Sequence, residues 1–196
     1  VYNPTHLFGF FSAFNGSIVQ DMELYKGSIP AKFGGRISSV LDINSRKGNK
    51  EEYQGELSLG LLTSSVALEG PIKKDKTSLL LSGRTTYSDW MLSLLPEKSG
   101  YKNGKAGFWD ANMVLSHQFS QKDNLYLSGY YSHDRFNFME NEKYSYANAN
   151  ASLQWVHLFN ENFRMGTTAG YDHYDYATRN FQNENDAFQL GFDINQ

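Results

Sequence analysis

From Tyr53 to the C-terminus, apolar and polar residues alternate along the chain, and this alternation restricts the fold more than any other feature of the sequence. A period of two residues places successive side chains on opposite faces of a β-strand. Polar connections separate the alternating segments. The sequence therefore predicts an all-β chain with eight antiparallel strands, at Tyr53–Leu61, Ser65–Ile72, Thr77–Tyr87, Phe108–Phe119, Asn124–Asp134, Tyr144–Phe159, Phe163–Tyr174 and Ala187–Gln196.

Charged side chains fall on the more polar face of these predicted strands. A charge that faces lipid at mid-depth costs about 2–4 kcal/mol for Arg or Lys, so a membrane wall would keep charges on its inner face. A soluble sheet with one buried face shows the same alternation, so this pattern alone leaves both classes open. The residues concerned are Glu56, Glu69, Arg84, Asp110, Arg164, Asp172 and Asp193.

The connections alternate between short and long, which favours the membrane class. Short polar turns on one side and longer loops on the other are typical of outer-membrane barrels. The first hairpin fits this order if its tight end, Thr63–Ser64, lies on the long-loop side. The predicted short turns are Lys73–Lys76, Ser120–Asp123 and Asn160–Asn162, and the predicted long loops are Ser88–Gly107, Arg135–Lys143 and Thr178–Asp186. The predicted fold is therefore a transmembrane antiparallel β-barrel wall whose first strand rises from the periplasm.

The composition agrees with this prediction. The chain has 13 Tyr, 14 Phe and 3 Trp among 196 residues, yet its mean hydropathy is −0.55. A barrel with a polar interior and aromatic outer bands has this mixture. A net charge of −3 offers no basic patch for nucleic acid, and the absence of cysteine excludes disulfides and thiolate metal sites. Four histidines near predicted strand ends suit an interfacial role: His117, His133, His157 and His173.

The first 50 residues differ in character from the rest. They are rich in glycine and contain short β-like runs, Ile18–Lys26 and Ile37–Ser45, around the turn Gly27–Gly35. We expect residues 1–50 to be the C-terminal part of a plug domain and residues 51–196 to be the first part of the barrel. The sequence begins without Met or a signal peptide, so we also expect it to be part of a longer protein.

Three stretches carry a resemblance to a known family. They are NPTHLFGFFSAFN (3–15), KGSIPAKFGGRISSVLDINSRKGN (26–49) and YQGELSLGLLTSSVALEGPIKKDKTSLLLSGRTTYSDW (53–90). Together they resemble TonB-dependent outer-membrane receptors of the Bacteroidota type, which are related to SusC and often preceded by a carboxypeptidase-regulatory-like domain. The later strands are barrel-like without a specific motif.

The resemblance implies a barrel of about 22 strands around a plug, of which this chain holds about eight strands. It implies active import of a ligand across the outer membrane, driven by the TonB–ExbB–ExbD complex, with displacement of the plug as the gate. It also implies contact with outer-membrane lipid and lipopolysaccharide, and a SusD-like surface lipoprotein as a further partner where neighbouring genes encode one. No cofactor is implied, and the imported ligand is not identified.

Arg36 is the plug residue for which we predict a contact with the wall. Its guanidinium is expected to pair with a wall carboxylate, with Glu69 as the first candidate; the alternative is a solvated arginine on a loop. Gly34 and Gly35 are predicted to supply special backbone angles or a close approach between plug and wall.

In the aromatic stretch before residue 17, His6, Phe10 and Phe11 are the predicted ligand contacts. The alternative is a compact loop packed by its own aromatic side chains. A catalytic site is not predicted, because the sequence contains no nucleophile elbow, zinc-binding HExxH or P-loop motif.

Two other functions stay open at this point. A passive porin or a small standalone barrel accounts for the strands but leaves residues 1–49 without a role. A soluble β-sandwich that acts as a binding module accounts for the alternation but not for the order of the connections.

Overall fold

The computed structural model describes residues 3–31, 33, 39–87, 89–96, 98, 104–139, 142–180 and 188–195. Antiparallel β-strands dominate these ranges, which confirms the all-β prediction. Among the described residues, no helix has the length and apolar character needed to cross a membrane. The strands are β1 Thr5–His6, β2 Phe11–Ser12, β3 Val19–Tyr25, β4 Val40–Ser45, β5 Gln54–Leu59, β6 Thr63–Lys73, β7 Thr77–Thr86, β8 Lys105–Gln118, β9 Asp123–Met139, β10 Glu142–Asn160, β11 Phe163–Asn180 and β12 Phe188–Asn195; the helices are a 3-10 turn, Leu7–Gly9, and α1, Asp89–Ser93.

Strands β5 to β12 form one eight-stranded sheet in which each strand pairs with its neighbours in sequence. The three predicted short turns lie at one end of this sheet, which we call the lower end. The opposite, upper end includes the β5–β6 turn and the segment with α1. Chain order and spatial order coincide because every connection joins adjacent antiparallel strands.

The predicted loop Arg135–Lys143 is mostly strand, and this prediction was therefore wrong. β9 continues to Met139 and β10 begins at Glu142. Phe136 and Tyr144 are paired across these strands, and their rings stack at a centroid distance of 5.4 Å. Aromatic pairs of this kind stabilise antiparallel strands, which explains why the polar composition of this segment does not end the sheet.

The first hairpin also differs from the prediction, because Thr63 and Ser64 lie within β6 and not in the turn. The turn precedes them, where the Gly60 amide donates to the Thr63 carbonyl at 2.9 Å. A Cβ at position 60 would lie 3.0 Å from the same oxygen, so the tight approach favours glycine. In the last strand, the register pairs Ile194 with Asp172 and Asp193 with His173, so Asp172 and Asp193 do not share a face as the prediction placed them.

The two faces of the sheet have opposite surroundings. The described parts of the N-terminal segment (residues 3–31, 33 and 39–49) contact the polar face. Buried polar side chains on this face are Ser78, Ser82, Asp110, Asn112, Ser116, Ser132, Asp134 and Asn148. The apolar face is exposed and carries Leu57, Leu59, Leu68, Leu81, Trp109, Met113, Tyr131, Leu153, Trp155 and Tyr171. A soluble sheet normally buries its apolar face and leaves the polar one in water, so this arrangement is the reverse of the usual one.

Two small apolar clusters fix the N-terminal segment on the sheet. In one, Leu7 packs against Phe108, Phe136 and Tyr146. In the other, Ile18 packs against Leu80 and Val114. Because both clusters contain buried side chains from the polar face, the segment contributes to the packing of the sheet and is not merely tethered to it.

Candidate functional site

His6 is buried between the N-terminal segment and the polar face of the sheet, and it is the centre of the candidate site. Its Nδ1 lies 2.7 Å from Oδ2 of Asp134 on β9. The next residue, Leu7, donates its amide to the other carboxylate oxygen of Asp134 at 3.0 Å. Leu7 has a φ of 47°, so the chain bends at this point and presents both groups to one carboxylate.

A second carboxylate, Asp110 on β8, completes the site from the adjacent strand. Arg84 on β7 donates from Nε and Nη2 to Asp110 Oδ2, at 2.8 and 2.7 Å. His6 Nε2 lies 3.5 Å from the same oxygen. Arg84 and Asp110 are direct partners in the β7–β8 register, which places their side chains side by side on one face.

The ring of Phe108 forms the floor of the site. His6 stacks on it with a centroid distance of 4.0 Å and an interplanar angle of 5°. The central carbon of the Arg84 guanidinium lies 5.0 Å from the centroid of the Phe108 ring, and the centroids of the Phe11 and Phe108 rings are 5.3 Å apart. Arg84 Nη2 also donates to the Ser12 carbonyl at 2.7 Å, so both His6 and the β2 backbone are held by sheet residues.

The charges of the site balance only when His6 is protonated. Asp110 and Asp134 are fully buried at the side chain, and Arg84 is 14% exposed. Burial lowers the pKa of His6, but its hydrogen bonds to Asp110 and Asp134 outweigh this effect and raise the pKa above the usual 6.5. The imidazolium is the favoured form because a buried carboxylate without a cation is costly.

A second contact joins the two parts of the chain near residue 47. Arg46 forms an ion pair with Glu69 on β6, and its Nη1 donates to the Ser17 carbonyl at 2.9 Å. The next carbonyl, that of Lys47, accepts hydrogen bonds from Ser78 and Ser116 at 2.7 and 2.9 Å. The segment that leads into β5 is therefore bound to β6, β7 and β8.

The predicted site residues have different outcomes. Arg36, Gly34 and Gly35 lie outside the described residues, so their predicted roles stay predictions. Glu69 does contact the N-terminal segment, and its partner in the structure is Arg46.

Of the predicted ligand contacts, the structure brings two together and separates the third. His6 and Phe11 both pack on Phe108, whereas Phe10 is 82% exposed. Ligand binding by these residues stays a prediction.

Sequence reasoning missed four residues that form these contacts: Arg84, Asp110, Asp134 and Arg46. The first two carried a usable signal, since opposite charges lie on the polar faces of consecutive strands. Asp134 ends a predicted strand, because the composition of residues 135–143 predicts a loop. Among the described residues, no group of three or more His, Cys, Asp or Glu side chains has a metal-binding arrangement.

The exposed apolar face carries two rows of aromatic side chains. The upper aromatic row is Trp109, Tyr131 and Tyr171, and the lower aromatic row is Phe119, Phe159 and Phe163. The ring centroids of Trp109 and Tyr131 are 5.2 Å apart, and those of Phe159 and Phe163 are 5.0 Å apart. Trp109 and Phe119 are ten residues apart, which at about 3.3 Å per residue is roughly 33 Å of strand.

Comparison with known proteins identifies no relative: no family model, curated protein or solved structure matches the chain.

Replacing Arg46 by methionine is expected to lower the free energy of unfolding by about 1–3 kcal/mol, because the Glu69 carboxylate, which is only 10% exposed, loses its cation. Arg46 itself is 35% exposed, so water partly replaces the lost partner and keeps the loss below that of a fully buried pair. Urea titration followed by tryptophan fluorescence measures the change. A loss below about 0.5 kcal/mol would contradict the expectation and would show that water screens the pair as it screens an exposed one.

Proposed function

We propose that this chain is part of a TonB-dependent outer-membrane transporter that imports a ligand actively. In this proposal the eight-stranded sheet is a section of a transmembrane β-barrel and residues 1–50 belong to its plug. The observation that carries the proposal is the reversed environment of the two faces. A segment that covers the polar face and leaves the apolar face open suits a wall with lipid outside and a plug inside.

The spacing of the two aromatic rows supports the membrane part of the proposal. About 33 Å of strand, tilted by about 45°, crosses roughly 23 Å. The apolar band of outer-membrane barrels is about 25 Å tall, with aromatic residues at both interfaces. The residues between the rows on this face include Leu81, Met113 and Leu153, which are exposed in the isolated chain.

The polar character of the buried contacts supports a plug that can be displaced. The His6, Asp110 and Asp134 side chains are fully buried, yet they are ionisable groups that water can solvate once the segment leaves. A purely apolar interface would strongly oppose such a displacement. The proposed energy source is the TonB–ExbB–ExbD complex, and a SusD-like lipoprotein is a further proposed partner at the upper end.

A passive porin is the second candidate, and the position of the N-terminal segment argues against it. The segment occupies the polar face that would line a water-filled pore, and the buried ion pairs of His6 with Asp134 and Asp110 hold it there. A soluble β-sandwich is the third candidate. It would need a second sheet over Leu81 and Leu153, whereas the other sheets in the described residues have two strands each.

The experiment that tests the proposal compares medium depletion by three strains of the source bacterium: wild type, a deletion of the gene that encodes this chain, and a deletion of TonB. Mass spectrometry of a complex medium identifies the compounds that each strain removes. We expect at least one compound to stay in the medium with either deletion. Uptake that depends on the gene but persists without TonB would favour the porin. If no compound depends on the gene for its uptake and the protein is absent from the outer-membrane fraction, the soluble module would be favoured.

A further inference from the structure

We propose that His6 is a proton-dependent latch: the imidazolium holds the N-terminal segment on the sheet, and loss of its Nε2 proton to water loosens that segment. The latch deepens the proposed function, because it regulates the displacement of the proposed plug. The contact itself requires only the geometry of the described residues.

Three strands of the sheet, β7, β8 and β9, carry the titratable and charged groups that face His6. Asp134 and Tyr130 come from β9, Asp110 comes from β8, and Arg84 comes from β7 behind Asp110. The Tyr130 hydroxyl lies 3.3 Å from His6 Nε2. These groups contact His6 on both ring nitrogens, so the imidazole has no access to water in the docked position.

Removal of one proton changes this site from neutral to negative. With His6 protonated, two carboxylates face two cations. With His6 neutral, the Nδ1 proton still bonds to Asp134, but the Nε2 lone pair faces the Asp110 oxygen at 3.5 Å. Only the Tyr130 hydroxyl then donates to Nε2, and one negative charge stays buried without a counter-charge. This charge opposes docking because its burial is no longer compensated.

The direction of the pH dependence follows from the position of the pKa. Contacts with Asp110 and Asp134 raise the pKa of docked His6 above 6.5, although burial alone would lower it. Once the segment leaves, water solvates the ring and the pKa returns to about 6.5. Docking is therefore fully favoured below about pH 6.5 and weakens as pH rises through the docked pKa. Between the two pKa values, one linked proton changes the docking equilibrium by up to about tenfold per pH unit.

Two spectroscopic labels test the latch without any transport measurement. The 196 residues contain no cysteine, so Phe10→Cys on the segment and Gln121→Cys in an exposed lower turn are the only thiol attachment sites within this sequence. The probe is the whole protein in detergent micelles, spin-labelled at both positions and frozen at pH values from 5 to 9. We expect one distance population at pH 5.5 and a second population that increases above pH 6.5.

His6→Gln removes the titrating group and should leave a distance distribution that does not change with pH. Asp110→Asn should shift the transition to lower pH, because one of the two groups that raise the pKa is lost. His117→Gln is the matched control, because His117 lies on the other face and bonds to Thr77, and it should keep the parent transition. A parent distribution that is constant from pH 5 to 9, or a transition that persists in His6→Gln, would overturn the latch.

Direct titration of His6 gives a second readout if His6→Gln does not fold. In protein labelled with ¹³C at histidine Cε1, the His6 signal should titrate with a midpoint above pH 6.5. This midpoint should coincide with the midpoint of the distance change. A His6 midpoint at or below 6.5 would also overturn the proposal. None of these results depends on TonB, so failure of the latch leaves the import proposal standing, and failure of import leaves the latch.

Discussion

Replacing Leu153 by arginine is expected to lower the free energy of unfolding in a bilayer by about 2–4 kcal/mol, the cost of a midplane arginine that faces lipid. Leu153 is 44% exposed, lies between the two aromatic rows, and pairs with Leu127 and Ala169 in register. On a soluble sheet, the same change at such an exposed position would usually stay within about 0.5 kcal/mol. The two environments therefore predict effects of clearly different size.

The measurement is reversible folding into phospholipid vesicles, followed by guanidinium titration. Ala177→Arg is the matched control, because Ala177 lies on the same face of β11 but six residues above Tyr171, beyond the upper aromatic row. The control should cost about 0–1 kcal/mol, as arginine does near the interfaces. Equal effects at positions 153 and 177 would contradict the assignment of a lipid-facing band.

The second large effect is expected at Asp110. Changing Asp110 to asparagine should cost about 3–5 kcal/mol, because removal of one partner leaves a buried charge uncompensated. Arg84 would lose the carboxylate oxygen to which it donates twice, and His6 would lose one of its two anions. The loss is measured by denaturant titration, with protease cleavage of the N-terminal segment as an independent readout of its release.

Two further variants separate charge imbalance from a general loss of packing. The double change Arg84→Met with Asp110→Leu removes both charges of the pair and should recover most of the stability, since buried ion pairs are often replaceable by apolar residues. Asp175→Asn is the exposed counterpart: Asp175 pairs with His173 at 2.8 Å, and the pair is largely open to water. Its loss should cost about 0–1 kcal/mol. An Asp110→Asn effect no larger than this would remove the basis of the site.

Most of the sheet was predictable because alternation is a local property of the sequence. The two-residue period was enough to predict the positions of β7 and β8, and the turn residues were enough to predict the three short turns. The upper parts of β9 and β10 were not predictable in this way, because their polar composition indicates a loop. The Phe136–Tyr144 stack that extends these strands depends on a register that only the folded hairpin defines.

The site was less predictable because its partners are far apart in sequence. The alternation of side chains along each strand placed Arg84 and Asp110 on the polar face. The register that makes them direct partners comes from the pairing of β7 with β8. His6 and Asp134 are 128 positions apart. Similarly, the sequence predicted Arg36 as the partner of Glu69, whereas the pairing of Glu69 with Arg46 depends on how residues 39–49 approach β6.

The order of the contacts along residues 3–49 has a mechanical consequence. Asn3 bonds to Asn148, His6 to Asp134, the Ser12 carbonyl to Arg84, and the Lys47 carbonyl to two serines. A pull at Asn3 would load these contacts in series, as in unzipping, and would reach the His6 site long before Lys47. The peak force is then set by the strongest single contact and not by their sum, so a modest pull can peel off the segment while its C-terminal end stays attached.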